Sequence, residues 1–204
     1  MLLDCLFILL AYLFGSIPWA LVIGKVFYNT DIRNQGSGNL GGTNAGRVLG
    51  KKAGISVSAL DAFKAFIIVW IASLTLKDSK DLIPLLGIAC VIGHCFPIFA
   101  GFKGGKGVST CFGFALSLGI FVTHDTLFTV IVPFIIFMVV LYFSKYVSLS
   151  SMIGIAAMPI IALIRGYSLN VILSLFILWV LVVYRHRSNI ERIKNKTEKK
   201  ITWL

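Results

Sequence analysis

Seven apolar runs separated by short polar segments constrain this 204-residue chain more than anything else in it. They lie at residues 2–25, 53–76, 82–100, 108–122, 127–143, 151–164 and 169–184. A hydrocarbon core about 30 Å thick is spanned by roughly 17–25 apolar helical residues. Within it, only helices and closed barrels satisfy their own backbone polar groups. The chain is 58% hydrophobic and 13% charged, against about 25% charged in an ordinary soluble domain. A soluble fold of this size cannot bury so much apolar side chain. The expected fold is therefore an all-α integral membrane protein of about seven transmembrane helices, built as one polytopic domain over 1–204. Runs 108–122 and 151–164 are short, so five crossings with two re-entrant or interfacial helices is the alternative. Asp4 stands where a signal peptide would be basic and no cleavage site follows, so the first run reads as a retained span.

The formal net charge is +11, and its distribution gives an orientation. With seven crossings, Lys25, Arg33, Arg47, Lys51, Lys52, Lys103, Lys106, Lys145 and the basic tail share one side. The other side carries Lys77, Lys80 and Arg165, offset by Asp78, Asp81 and Asp125. The positive-inside rule then puts the N-terminus outside and the C-terminus in the cytoplasm. Basic residues confined to span-flanking loops favour anionic lipids and anionic substrates as partners over nucleic acid. Cys5, Cys90, Cys95 and Cys111 lie in or beside apolar runs without a CxxC pair, and read as small hydrophobes. No His/carboxylate spacing suggests a metal site, and no cofactor is expected.

Two glycine-rich clusters carry chemistry. In the first, residues 31–47, Gly36, Gly38, Gly41, Gly42 and Gly46 alternate with Ser37, Asn39, Thr43 and Asn44, and the segment closes on Arg47. Glycines let backbone N–H groups approach an anion, the small polar side chains add donors, and a guanidinium suits phosphate. A merely flexible interfacial loop is the plainer reading, and it does not account for so dense an alternation of glycine and donor. The second cluster is Gly93-His94-Cys95-Phe96-Pro97 followed by Lys103-Gly104-Gly105-Lys106-Gly107. It places amides and lysines at the start of an apolar helix, a natural anion site. The GxxxxGK[ST] spacing of a P-loop is absent. Asp61 and Lys64 lie three apart on one helix face inside the second run. Charges there face a bundle interior or a wet cavity; an internal ion pair and a Lys64 aimed at the anion site are both open. His94 reads more readily as a structural hydrogen-bonder than as a catalyst.

A third cluster, His186-Arg187-Ser188-Asn189 with Glu198 beyond it, opens the basic tail. Its cations suit anionic lipid, whereas His186 and Asn189 do not fit that role. No Gly-x-Ser-x-Gly elbow supports a hydrolase-like serine.

Together these clusters resemble, in order, the three signature motifs of the bacterial acyl-phosphate-dependent glycerol-3-phosphate acyltransferases (PlsY type). The first is Gly36-Ser37-Gly38-Asn39 through Thr43-Asn44, Arg47 and Gly50. The second runs from Gly93-His94 through Pro97 to Phe102-Lys103-Gly104-Gly105-Lys106-Gly107, and the third from His186-Arg187 through Asn189-Ile190 and Arg192 to Thr197-Glu198. Where the third motif usually has glycine before the threonine, this chain has Lys196. The resemblance covers the chain from Gly15 to Glu198. It implies transfer of a fatty acyl group from acyl phosphate to the 1-hydroxyl of glycerol 3-phosphate, at the bacterial cytoplasmic membrane. The products would be lysophosphatidic acid and phosphate, and the enzyme is expected to act as a monomer.

On this resemblance Gly36, Ser37, Gly38, Asn39, Thr43, Asn44 and Arg47 clamp the acyl phosphate. Lys103, Gly104, Gly105, Lys106 and Gly107 bind glycerol 3-phosphate, with Lys64 as a further contact. His186, Arg187, Asn189 and Glu198 complete the site, and Ser148 joins from another cytoplasmic loop. Ser37, Asn39, Arg47, His186, Asn189 and Glu198 are the expected catalytic set. His186 and a substrate phosphate are alternative proton acceptors. A carrier of phosphorylated metabolites would instead place its motifs on broken helices at mid-membrane, and a metal-dependent lipid-phosphate transferase would need more acidic residues than Asp31.

Overall fold

The computed structural model describes residues 2–76 and 80–201, and among these every regular element is helical. The charged turn expected at 77–81 falls largely on residues 77–79, outside the described residues. The chain forms two compact units, Met1–Phe114 and Ala115–Leu204.

The first unit opens with α1 (Leu2–Gly15) and α2 (Trp19–Tyr28), which meet at a 41° bend. Pro18 causes the break, because it has no N–H and cannot continue the helical ladder. Leu21 N–H turns to the Pro18 carbonyl instead, at 2.9 Å, which leaves the Ile17 carbonyl without its helical donor. A 3-10 turn (Ile32–Asn34) leads into α3 (Gly42–Leu49) and the 25-residue α4 (Lys51–Thr75). Next comes α5 (Ile83–Cys95), and then α6 (Val108–Phe121), which begins in the first unit and ends in the second. Close approaches between these helices run through small residues, which is how helices associate in lipid. A Cβ added at Gly93 would strike the Tyr12 carbonyl, and one at Gly15 the backbone of Cys90. Gly113 leans on Ala62 in the same way.

The second unit continues through a π-helical turn (Leu127–Ile131) into α7 (Val132–Ser144). It is completed by α8 (Val147–Ile164), α9 (Leu169–Arg185) and α10 (Arg187–Lys194). Arg165 reaches Asp125 with Nε at 2.9 Å and lies over the Phe128 ring, tying the α8–α9 turn to the start of the π turn.

Among the described residues, four stretches are long and apolar enough to cross a membrane: Lys51–Thr75, Ile83–Ala100, Leu127–Ser144 and Val147–Ile164. The count reaches six if each bent pair, α1–α2 and α9–α10, is one span. Helix α6, with 14 residues, is about 21 Å long at 1.5 Å per residue. Each of the seven apolar runs is largely helical among the described residues, although the first is bent and that of α6 is short. Ile135, Val139, Tyr142 and Phe143 face outward along α7, a continuous apolar surface that suits lipid.

Two helices occupy segments that read as loop or tail in the sequence. One is α3, inside the glycine-rich cluster. The other is α10, which turns away from α9 by 56° and carries buried Asn189.

Candidate active site

The first cluster folds as a short loop seated on α3. Gly36 and Gly38 adopt φ of 61° and 68°, a left-handed backbone that side chains disfavour. Asn44 holds the loop from below. It is 2% exposed, its Oδ1 accepts from the Ser37 N–H at 2.8 Å, and its Nδ2 donates to the Gln35 carbonyl at 3.1 Å. Asn44 thus fixes the backbone of Ser37 rather than facing outward as part of the clamp. Ser37, Thr43 and Arg47 are exposed and Asn39 is half-buried. Gly41 is the N-cap of α3, and the Asn39 Oδ1 lies 3.1 Å from where a Gly41 Cβ would stand. Hydroxyl and amide groups are therefore collected at the N-terminus of α3, whose first amides lack intrahelical acceptors, while Arg47 stands in the last turn of the same helix.

The glycines of α3 also serve packing. A Cβ at Gly54 would sit 2.6 Å from the Gly46 Cα, and one at Gly42 would overlap the Ser58 hydroxyl. Helices α3 and α4 are thus pressed together just above the loop. Asp31, the cluster's acidic residue, is held by a fork of hydrogen bonds from Arg33 that brings its carboxyl down to about 2.

The second cluster is organised around His94. Gly104 and Gly105 are buried, and Gly105 N–H donates to the His94 carbonyl at 3.1 Å. One amide expected to face a ligand is thereby drawn inward. A Cβ at Gly105 would run into the His94 ring at Nε2, and one at Gly104 into the Pro97 ring. Lys103 is exposed, Lys106 is half-buried, and α6 starts immediately after Gly107.

Lys64 is 1% exposed and does not reach the surface of this loop by itself. Its ammonium lies 2.9 Å from Asp61 Oδ1, 2.9 Å from His94 Nδ1 and 3.2 Å from the Ile17 carbonyl at the α1–α2 break. The ammonium thus has one ion-pair partner, Asp61, and two hydrogen-bonding neighbours, Ile17 and His94. Of the two readings left open by the sequence, the internal ion pair describes Lys64 better. His94 is the member that sequence alone did not connect, because it stands thirty residues away on α5.

In the second unit, the third cluster converges on Glu198. Its Oε1 accepts from Ser148 Oγ at 2.7 Å and from Asn189 Nδ2 at 2.6 Å, and its Oε2 from Arg192 Nε at 2.7 Å. Partial burial opposes the charge, but the hydrogen bonds from Asn189, Arg192 and Ser148 prevail and hold the carboxyl below its ordinary value. Ser148, Asn189 and Glu198 were expected in the site; Arg192 was not, although its place in the motif was visible. His186, 3% exposed, sets its Nδ1 2.8 Å from the Val182 carbonyl. A carbonyl only accepts, so Nδ1 carries the hydrogen and Nε2 of the neutral ring is the basic atom. Arg187 is exposed and stacks on Tyr184. Glu191, five residues after His186, is exposed and stands outside this cluster.

Lys196 has φ of 58°, so the backbone keeps a left-handed turn where glycine is usual. Thr197 and Glu198 N–H groups then both return to the Arg192 carbonyl, at 2.8 and 3.2 Å, which delivers Glu198 to its donors. A left-handed non-glycine residue costs roughly 1–2 kcal/mol. Lys196→Gly is therefore expected to raise the melting temperature in detergent, by the equivalent of up to about 1 kcal/mol once glycine's extra unfolded-state freedom is counted. A lower melting temperature would mean that the lysine side chain contributes more than its backbone strain removes.

Among the described residues no group of three or more His, Cys, Asp or Glu side chains is placed to hold a metal ion. The family model described as glycerol-3-phosphate acyltransferase matches residues 5–196. The chain is 45% identical over 201 residues to the glycerol-3-phosphate acyltransferase of Bacillus cytotoxicus, covering 98% of this chain and 96% of that protein. It is 46% identical over 201 residues to that of Listeria monocytogenes serotype 4a, covering 96% of each. Two solved structures of PlsY (YgiH), an integral membrane glycerol 3-phosphate acyltransferase, share its fold. The glycerol 3-phosphate form superposes with a TM-score of 0.88 at 35% identity, covering 98% of this chain and 96% of that one. The lysophosphatidic acid form gives 0.86 at 33% identity, covering 98% and 95%. With the first two motifs and the third as far as Lys196 inside the matched region, and the likeness to relatives running through nearly the whole chain, this integral membrane protein belongs to the glycerol-3-phosphate acyltransferase family.

Proposed function

We propose that this enzyme transfers a fatty acyl group from acyl phosphate to the 1-hydroxyl of glycerol 3-phosphate, releasing lysophosphatidic acid and phosphate. The observation that carries the reading is the loop on α3. Asn44 fixes its backbone while Ser37, Asn39 and Thr43 remain at or near the surface as donors beside the N-terminus of α3, and exposed Arg47 stands in the last turn of that helix. Such an arrangement favours a phosphate. Asp31 is already matched by Arg33, so it does not oppose an anionic ligand.

Both substrates carry phosphate, and the Lys103–Gly107 loop supplies the second basic, glycine-rich element. Acyl phosphate is a mixed anhydride and needs no covalent activation. The hydroxyl oxygen attacks the acyl carbon, the bond from that carbon to the phosphate oxygen breaks, and phosphate leaves with the electron pair. The hydroxyl proton passes to a phosphate oxygen, or to His186 if the family resemblance carries that role to this chain. The protein's part is to orient the two reactants and to stabilise charge on the carbonyl and the departing phosphate.

The reading extends to topology. Seven crossings, with the N-terminus outside and the C-terminus in the cytoplasm, would put Gly36, Lys106, Lys145 and Asn189 on the cytoplasmic face of a bacterial inner membrane. The whole of 1–204 would then work as one monomeric domain.

The assay that tests this uses purified protein in detergent, acyl phosphate, radiolabelled glycerol 3-phosphate and a chelator. The expected product is lysophosphatidic acid with one phosphate released per turnover. Activity with an acyl thioester but not with acyl phosphate would overturn the donor assignment. Arg47→Lys keeps the charge and loses the planar fork, so kcat/KM is expected to fall at least tenfold, about 1.4 kcal/mol. Near-normal turnover would remove Arg47 from the clamp.

A further inference from the structure

We propose that Asp61, Lys64 and His94 form a buried positioning triad that sets the Gly104–Gly105 backbone for its phosphate ligand. The proposal rests on reading the Lys103–Gly107 loop as the glycerol 3-phosphate site. Asp61 and Lys64 are each 1% exposed and His94 is 6% exposed, so the triad is buried. A structural ion pair alone would need only Asp61 and Lys64. Here the ammonium also lies 2.9 Å from His94 Nδ1.

Asp61 Oδ1 lies 3.3 Å from the same Nδ1, so both charges of the pair hold that edge of the ring and leave Nε2 on the opposite edge. That edge faces Gly105, where a Cβ would collide with it. The same residue's carbonyl receives the Gly105 N–H at 3.1 Å. His94 therefore supports Gly105 from two directions, by its ring and by its main chain, and Lys64 and Asp61 together fix which way the ring turns. The Ile17 carbonyl, 3.2 Å from Lys64, anchors the ammonium to the α1–α2 break, so three separate segments determine where the loop lies. A buried charge group is kept more readily for such register than for stability, since well-packed apolar residues often replace it without loss.

That last point supplies the test. Asp61→Leu/Lys64→Met replaces the ion pair by apolar residues of similar size. A purely structural pair would let this double variant keep both its melting temperature and its kinetics. The triad predicts a retained melting temperature with KM for glycerol 3-phosphate raised about tenfold, as expected for a displaced binding element, while KM for acyl phosphate stays within about twofold. His94→Asn keeps an acceptor for Lys64 and removes the ring beneath Gly105, so it is expected to show the same selective defect. It also keeps the proposal testable if the double variant does not fold. Lys106→Ala reports on the loop itself. If it leaves KM for glycerol 3-phosphate unchanged, the loop assignment fails and the triad's role fails with it. If Lys106→Ala raises that KM while the triad variants do not, or if they raise both KM values equally, the positioning role alone is overturned.

Discussion

Asp61→Asn on its own is expected to destabilise the protein by about 3–5 kcal/mol, the largest effect of any single substitution considered. The reason is asymmetry. Lys64 is 1% exposed and its ammonium lies 2.9 Å from the Asp61 carboxylate. Removing the carboxylate's charge leaves a buried cation with only the neutral Ile17 carbonyl and the His94 ring beside it. Breaking one half of a buried pair costs far more than replacing both halves. Thermal unfolding in detergent should show a large drop for Asp61→Asn and recovery of most of it when Lys64→Met is added. A single variant that melts with the wild type would mean that water or a rearranged Lys64 already neutralises the site.

The same residues show what the sequence can and cannot convey. Asp61 and Lys64 are legible because they lie three apart on one helix and interrupt an apolar run. His94 is not, because thirty residues of α4, turn and α5 separate it from Lys64, and nothing local marks the pairing. The apolar runs translate directly into helices, since in lipid a backbone has almost no alternative. Helix α3 was hidden for a related reason. Gly42, Gly46, Gly50 and Gly54 lower helix propensity and suggest a loop, yet at fourfold spacing Gly42 and Gly46 form one face, which packs against Gly54. The small-xxx-small spacing was the available signal. Helix α10 was obscured by its charge: a run of Arg and Lys reads as a solvated tail, while Asn189 and Arg192 turn toward Glu198. The donors of the first loop were legible as residue types. Only the fold shows that Asn44 holds the loop while Ser37 and Arg47 stay exposed.

This division of labour decides the other large prediction, which concerns Ser37. A serine that attacks the acyl carbon needs a base to take its proton and would leave an acyl-enzyme. Ser37 lies between two left-handed glycines, and its own N–H is tied to Asn44 at 2.8 Å. His94, the histidine of the same unit, is committed to Lys64 and the Gly105 loop. Acyl phosphate, in turn, gains little from a covalent step, because its leaving group is already good. Ser37 is therefore expected to donate a hydrogen bond to phosphate rather than to form a bond to carbon. Ser37→Ala should lower kcat/KM by the worth of a hydrogen bond to a charged group, about 1.5–3 kcal/mol, or roughly 10- to 150-fold, with the melting temperature unchanged. Wild-type protein incubated with radiolabelled acyl phosphate and no acceptor, then acid-quenched, should retain no label. Stoichiometric, hydroxylamine-sensitive label that disappears in Ser37→Ala would establish an acyl-enzyme and replace direct transfer with a two-step route, while leaving the acyltransferase family of the chain untouched.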